Sequence, residues 1–300
     1  MSDITMPDQI ILATDLSPAS NAAVSIASRA ARIFKAKVTI LHVFPYVAPH
    51  RYKIPVEWMI EIIRRDVQSK LDKTKRTLSE LGIQAEVMIV EDGIPSQQIL
   101  DFVQSCRTTP LLVMGTHAVG GMERFLIGST AEEVLRQARC PVITVGPHVA
   151  PAAENDPYFH KVLYATDFSE ASLAAVPLAV ALRRSSAASL RVLHVSAAPV
   201  SPAPDEDQRF DPIRQALRVN GAGISVGSEE YVTLHGKDVS QAVVNEAERY
   251  SADLLVLGVH RASAYASHLA PKITFQIIAA APCAVLTVSS RDAFGFLSPA

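Results

Sequence analysis

The sequence holds only three cysteines, Cys106, Cys140 and Cys283, an odd number set far apart. No C-x-x-C pair occurs and no histidine cluster lies near them, so neither a disulfide framework nor a structural zinc site is expected. Long apolar runs are missing as well. None approaches the roughly 20 residues that cross a bilayer, and the opening "MSDITMPDQI" lacks the basic and apolar regions of a signal peptide. The expected compartment is therefore the cytoplasm. Excess charge of either sign is also absent: 28 Lys+Arg against 30 Asp+Glu leave a net charge of −2, with no dense basic block. That gives no electrostatic footprint for nucleic acid or for an anionic membrane.

What is present is a 300-residue chain with 49% hydrophobic residues, enough for two domains that each bury a core. The chain repeats itself. "IILATDLSPAS" at 10 to 20 returns as "VLYATDFSEAS" at 162 to 172, a shift of 152 that takes Asp15 to Asp167 and carries "LHV" at 41 to 43 onto 193 to 195. Later, "VMGTH" at 113 to 117 answers "VLGVH" at 256 to 260, and "CPVITV" answers "CAVLTV", both with a shift of 143. The second half is thus nine residues shorter in the segment after its second strand. There the first half has apolar residues at 60, 63, 67, 71, 78 and 81, helical spacing opened by Pro55. The second half has only "FDPIRQALRV", with Phe210, Ile213 and Leu217 on one face.

Each half reads as five strands alternating with four helices. In the first half the strands fall at about 9 to 14, 37 to 43, 85 to 90, 110 to 114 and 141 to 145. Their short, mostly continuous apolar runs suit strands buried on both faces of a parallel sheet. The pattern predicts two tandem doubly wound α/β domains, residues 1–148 and 158–290, joined by the linker "GPHVAPAAENDPYFH". Ligands of such sheets sit beyond the carboxyl ends of the strands. Asp15, His42 with Val43, Asp92 with Gly93, and Gly115 stand at those ends.

The loop "GTHAVGGMERFLIGST" follows the fourth strand and precedes a helix. Its glycines would let backbone N–H groups approach phosphate oxygens, and the helix N-terminus adds partial positive charge. The plainer alternative is a capped helix, through Ser129 with Glu132 or Thr130 with Glu133. Asp15 is either the N-cap of the first helix or a ligand contact. His42 and His194 fit local hydrogen bonds better than metal binding. Cys140 and Cys283, which open the last strands, read as core residues.

"ATDLS", "LHV", "GIPSQQIL" and "VMGTHAVGGMERFLIGSTAEEVLRQARCPVITV" together resemble the universal stress protein family, and the resemblance covers nearly all of both halves. It implies a Rossmann-like fold and, in nucleotide-binding members, a G-x2-G-x9-G-[ST] loop around the phosphates of ATP. Gly115 would be the first glycine, Gly128 with Ser129 the closing pair, and Ala118 departs from the pattern. By this resemblance Asp15 and Val43 face the adenosine, while Gly115, Gly128, Ser129 and Thr130 face the phosphates of ATP, with or without Mg2+; His117 lies in the same loop. Family members pair their last strands, which implies a pseudo-twofold between residues 141 to 145 and 284 to 288. In the second half Pro271, Lys272 and Ile273 replace Gly128, Ser129 and Thr130, and only Gly258 remains of the glycines. Proline removes an N–H donor, so the second loop is expected not to bind phosphate.

Three functions remain open at this point: regulatory binding of ATP in the first half, a nucleotide-independent adaptor with protein partners or a homodimeric state, and slow ATP hydrolysis or phosphotransfer. The last has little support. No Walker A lysine follows the glycines, Asp15 and Asp92 are the carboxylates near the site, and His117 is the one obvious base.

Overall fold

The computed structural model describes residues 6–17, 20–44, 56–91, 93–116, 127–149, 156–186, 188–197, 207–220, 229–259 and 271–289. The first half runs β1 (Gln9–Ala13), α1 (Ser20–Phe34), β2 (Lys37–Phe44), α2 (Val56–Glu80), β3 (Ala85–Glu91), α3 (Pro95–Ser105), β4 (Leu111–Gly115), α4 (Ser129–Gln137) and β5 (Val142–Val145). The second runs β6 (Lys161–Thr166), α5 (Glu170–Leu173), α6 (Val176–Ser186), β7 (Ser189–Ser196), α7 (Asp211–Asn220), β8 (Glu229–His235), α8 (Val239–Tyr250), β9 (Leu254–Val259), α9 (Pro271–Ala280) and β10 (Ala284–Ser289). No helix among the described residues is long and apolar enough to cross a membrane.

Strand side chains alternate between faces, so each continuous apolar run feeds two cores. Ile10 and Leu12 of β1 point into one cluster, and Ile11 and Ala13 into another. The first cluster is continuous across both halves and is covered by α1, α2, α6 and α7. On the opposite face each half keeps its own cluster, under α3 and α4 in the first and under α8 and α9 in the second. Ile127 and Leu135 pack against both of these. Cys140 and Cys283 lie in this core as expected, and burial pushes the Cys283 thiol up to about 12.

The helix expected from the spacing of residues 60 to 81 forms as α2, with part of its apolar stripe exposed, while the helix count of the second half needs correction. In α2, Val67, Leu71 and Leu78 are buried, but Ile63 is 40% exposed and its neighbour Ile62 55%. The helix covers β3, and among the described residues no strand lies beyond β3 for its N-terminal part to cover. The second half also does not copy the single first helix: α1 is continuous, whereas its counterpart breaks into α5 and α6. Pro177 is the reason, because its ring crowds the carbonyl four residues back, that of Leu173, where α5 ends.

The strands form one ten-stranded sheet in the order β3-β2-β1-β4-β5-β10-β9-β6-β7-β8. All pairs are parallel except the central one. There β5 meets β10 antiparallel, with Thr144 opposite Val285, Ile143 opposite Leu286 and Val142 opposite Thr287. The pseudo-twofold implied by the family resemblance is therefore present within a single chain. Thr144 Oγ1 donates to Val285 O and Thr287 Oγ1 to Val142 O, both at 3.2 Å. Each hydroxyl bond contributes about 1 kcal/mol net, and more is lost if one partner alone is removed from so dry a site. A second clamp joins α1 to the segment before β6. Arg29 pairs with Asp156 at 3.0 Å and lies 5.6 Å from the centre of the buried Phe159 ring.

Because the halves are offset by 143 here, Ile143 faces its own counterpart, Leu286, and β5 has a self-complementary register. Cut off after residue 148, the first half would expose β5 as an apolar edge, which invites pairing with a second copy. Sedimentation of residues 1–148 should show a dimer; a clean monomer would contradict the seam's dominance.

Candidate functional site

Register brings the ends of β2, β1 and β4 side by side: Ala13 pairs with Leu41 on one side and Met114 on the other. Beyond β1, Thr14-Asp15-Leu16-Ser17 forms a tight turn in which Leu16 takes φ +61°. For a branched residue this conformation costs roughly 1–2 kcal/mol. Side-chain acceptors offset it. Thr14 Oγ1 accepts the Leu16 N–H at 3.0 Å, and Asp15 Oδ1 accepts the Ser17 N–H at 2.9 Å. Ser20, the first residue of α1, accepts from Thr14 Oγ1 and donates to Ser17 O. Asp15 thus shapes the turn and does not cap α1, which begins five residues later.

The second half repeats this turn. Phe168 has φ +62°, Thr166 Oγ1 accepts its N–H at 2.9 Å, and Asp167 Oδ1 accepts the Ser169 N–H at 3.0 Å. Burial pushes the Asp167 carboxyl up, but the Ser169 hydroxyl and N–H and the Ser172 side chain outweigh it and hold the group below the ordinary carboxylate range. His42 and His194 are matched too, each joined through Nδ1 to the carbonyl of Thr14 or Thr166 at 2.8 and 2.9 Å. Both are local structural histidines, and among the described residues no cluster of His, Cys, Asp or Glu is arranged to hold a metal.

Past β4 the two halves part. Gly128 N–H donates to Thr116 O at 2.7 Å, which brings the start of α4 against the end of β4. The N-cap of α4 is Gly128 itself, and among the described residues no side chain caps the helix. Neither expected capping box forms: the Ser129 hydroxyl does not turn back on its helix, and Glu132 instead pairs with Arg136. Asp15, Gly115, Gly128, Ser129 and Thr130 therefore gather at one edge of the sheet, with Asp15 and Ser129 exposed and Val43 buried one residue before the end of β2. His117, together with Ala118, Gly120 and Gly121, lies outside the described residues, as does Asp92.

Thr116 and Ser17 were not singled out by the sequence. Ser17 is 5% exposed and its Oγ has no hydrogen-bond partner among the described residues. Its counterpart Ser169 is satisfied, donating to Asp167 Oδ1 and accepting the Ser172 N–H. Thr116 has Val259 as its counterpart, so "GTH" against "GVH" was the available signal.

The floor of the crevice differs most. A methyl placed on Gly115 would stand 4.0 Å from Ser20 Cα, an ordinary contact. On Gly258 it would stand 2.1 Å from Ser172 Cα and 2.2 Å from Ala171 O. Helix α5 has sunk onto the end of β9. Tyr164, standing where the first half has Leu12, holds it there: the buried phenol donates to Ser172 O at 2.6 Å, and burial raises its pKa well above the tyrosine range. Phe168 then lies against His194 at 4.5 Å and Phe210 at 5.2 Å, across the ends of β6 and β7.

This contrast predicts opposite tolerances. Gly258→Ala should cost about 3 kcal/mol, since backbone must move to admit the methyl, while Gly115→Ala should stay within about 0.5 kcal/mol. Urea denaturation of the two variants measures both; equal costs would contradict the packing described.

Comparison with known proteins agrees with this architecture. The profile of the universal stress protein family matches residues 6–146 and again residues 159–289. A universal stress protein of Methanocaldococcus jannaschii is 33% identical over 144 residues, covering 46% of this chain and 81% of that protein. One of Mycolicibacterium smegmatis is 24% identical over 303 residues, covering 94% and 97%. Among solved structures, a universal stress protein of Archaeoglobus fulgidus superposes with a TM-score of 0.71 at 17% identity, covering 95% of this chain and all of that one. A Pseudomonas aeruginosa homologue gives 0.63 at 15% identity, covering 97% and 96%. With the family profile met once in each half of a single ten-stranded sheet, the chain belongs to the universal stress protein family as a tandem member.

Proposed function

We propose that this stress-response protein binds ATP at the carboxyl edge of its first half (residues 1–148) as a regulatory ligand, and that the second half (residues 158–290) binds none. One observation carries the reading: among the described residues a methyl on Gly115 would meet only Ser20 Cα, at 4.0 Å, whereas one on Gly258 would run into the backbone of Ala171 and Ser172. The residues present suit a nucleotide. An uncapped helix N-terminus offers N–H groups and partial positive charge to phosphate. The Ser129 hydroxyl is exposed and committed to no cap among the described residues, and the Ser17 hydroxyl is buried with no partner among them, a state that a ligand or its water would relieve. Asp15 and Val43, at the ends of adjacent strands, would meet the adenosine, and Gly115, Gly128, Ser129 and Thr130 the phosphates, with His117 in the intervening loop.

A nucleotide-independent adaptor is favoured by a different observation. The Thr-Asp-x-Ser turn persists in the filled half, so its Asp serves the fold without any ligand.

Calorimetry with ATP separates the two readings. The account expects about one site per chain. Gly128→Val should abolish binding, because its branched side chain would stand where phosphate approaches the backbone. Ser129→Ala should weaken binding roughly ten- to a hundredfold, the worth of one hydroxyl donor to a charged oxygen. It should leave stability unchanged, since Ser129 forms no cap. Lys272→Ala should have no effect. Two equal sites, or loss with Lys272→Ala alone, would sink the assignment, and absence of binding would favour the adaptor.

A further inference from the structure

The phosphate-facing turn is held from across the seam. Ile127, the residue before Gly128, packs against the second half's core as well as its own, and so does Leu135 one face of α4 further on. The Arg136 guanidinium, fixed by Glu132, lies 5.1 Å from the centre of the Phe275 ring of α9. A backbone route joins the same two places. The α9 carbonyl of Ile278 presses on Gly146, where a methyl would stand 3.0 Å away. The preceding residue, Val145, accepts the Thr116 N–H at 3.0 Å, and Thr116 O accepts the Gly128 N–H at 2.7 Å. Thr116, at the middle of this chain of bonds, is fully buried, where a hydrogen bond is electrostatically stronger.

We propose that α9 of the second half positions the Gly128 turn of the first, so that the half without a phosphate loop sets the nucleotide affinity of the half that has one. The inference rests on the nucleotide reading for its functional consequence, but not for its mechanical part. Where the first half has Gly128, Ser129 and Thr130 the second has Pro271, Lys272 and Ile273, without the glycine or the hydroxyls, while α9 supplies Phe275 and Ile277 to the core that Ile127 and Leu135 also pack against. Phe275 is a positioning residue, acting through Arg136 and α4, and touches no nucleotide. Linkage makes the effect reciprocal: if α9 biases the turn, ATP at the turn must stabilise α9.

The test is hydrogen exchange and ATP titration on the full chain. Phe275→Ala should weaken ATP binding about three- to thirtyfold, the range seen along coupled networks. Phe275→Tyr, which keeps the ring beneath Arg136, should restore it. Arg136→Gln should weaken binding similarly, and the double variant should lose less than the two single losses multiplied. In the nucleotide-free protein, Phe275→Ala should speed exchange in residues 127–131. In the wild type, ATP should slow exchange in residues 271–280. Unchanged affinity together with unchanged exchange at 127–131 would overturn the proposal. Should Phe275→Ala fail to fold, Arg136→Gln gives the same exchange readout. A wild type that binds no ATP would refute the nucleotide reading, while exchange at 127–131 still decides the coupling.

Discussion

The pairing of β5 with β10 is the contact on which the rest of the molecule depends. Only three residue pairs register there, yet every one is buried and two carry reciprocal threonine bonds to the facing backbone. Running antiparallel between two otherwise parallel sheets, the seam sends the carboxyl edges of the halves toward opposite ends. It therefore keeps two potential sites apart while sharing one core face. It also sets α4 and α9 against each other, with Arg136 of one over the Phe275 ring of the other, and brings the residue before the glycine turn against the core of the second half.

Against that fixed frame the two halves have separated what folding needs from what a ligand needs. The Thr-Asp-x-Ser turn is a folding device: it holds a bulky residue at positive φ and ties the start of the following helix, and it persists in both halves. Room beside the glycine of the fourth strand is what the proposed ligand needs, and among the described residues Gly115 has it while Gly258 is pressed by the backbone of Ala171 and Ser172. Tyr164 and Pro177 account for the difference. The phenol holds Ser172 against Gly258, and the proline marks where α5 and α6 part.

Most of this architecture was legible in the sequence because it follows from period and repetition. The two shifts fixed the halves and the position of the shorter segment, and the apolar runs located the strands to within about a residue. The seam came instead from the family resemblance, which implied that two matching last strands would pair. What could not be read was decided by three-dimensional neighbours. S-x-x-E at Ser129 has the local form of a capping box, but Gly128 takes the cap position because its N–H is drawn to Thr116 O. Ile63 continues a helical stripe that runs past the edge of the sheet and so stays exposed. Substituting Tyr164 for Leu12 looks like one apolar residue for another until the hydroxyl finds a carbonyl. Ser17 could be suspected only once its counterpart was seen to be satisfied.

The central claim is that one half is open to nucleotide and the other is filled. Photolabelling with 8-azido-ATP, followed by peptide mapping of the intact chain, tests it directly because the reactive group sits on the base. The account predicts label, competed by ATP, on peptides containing residues 6–17 or 37–44. Label on residues 161–169 or 189–197, or equal labelling of the two halves, would contradict it.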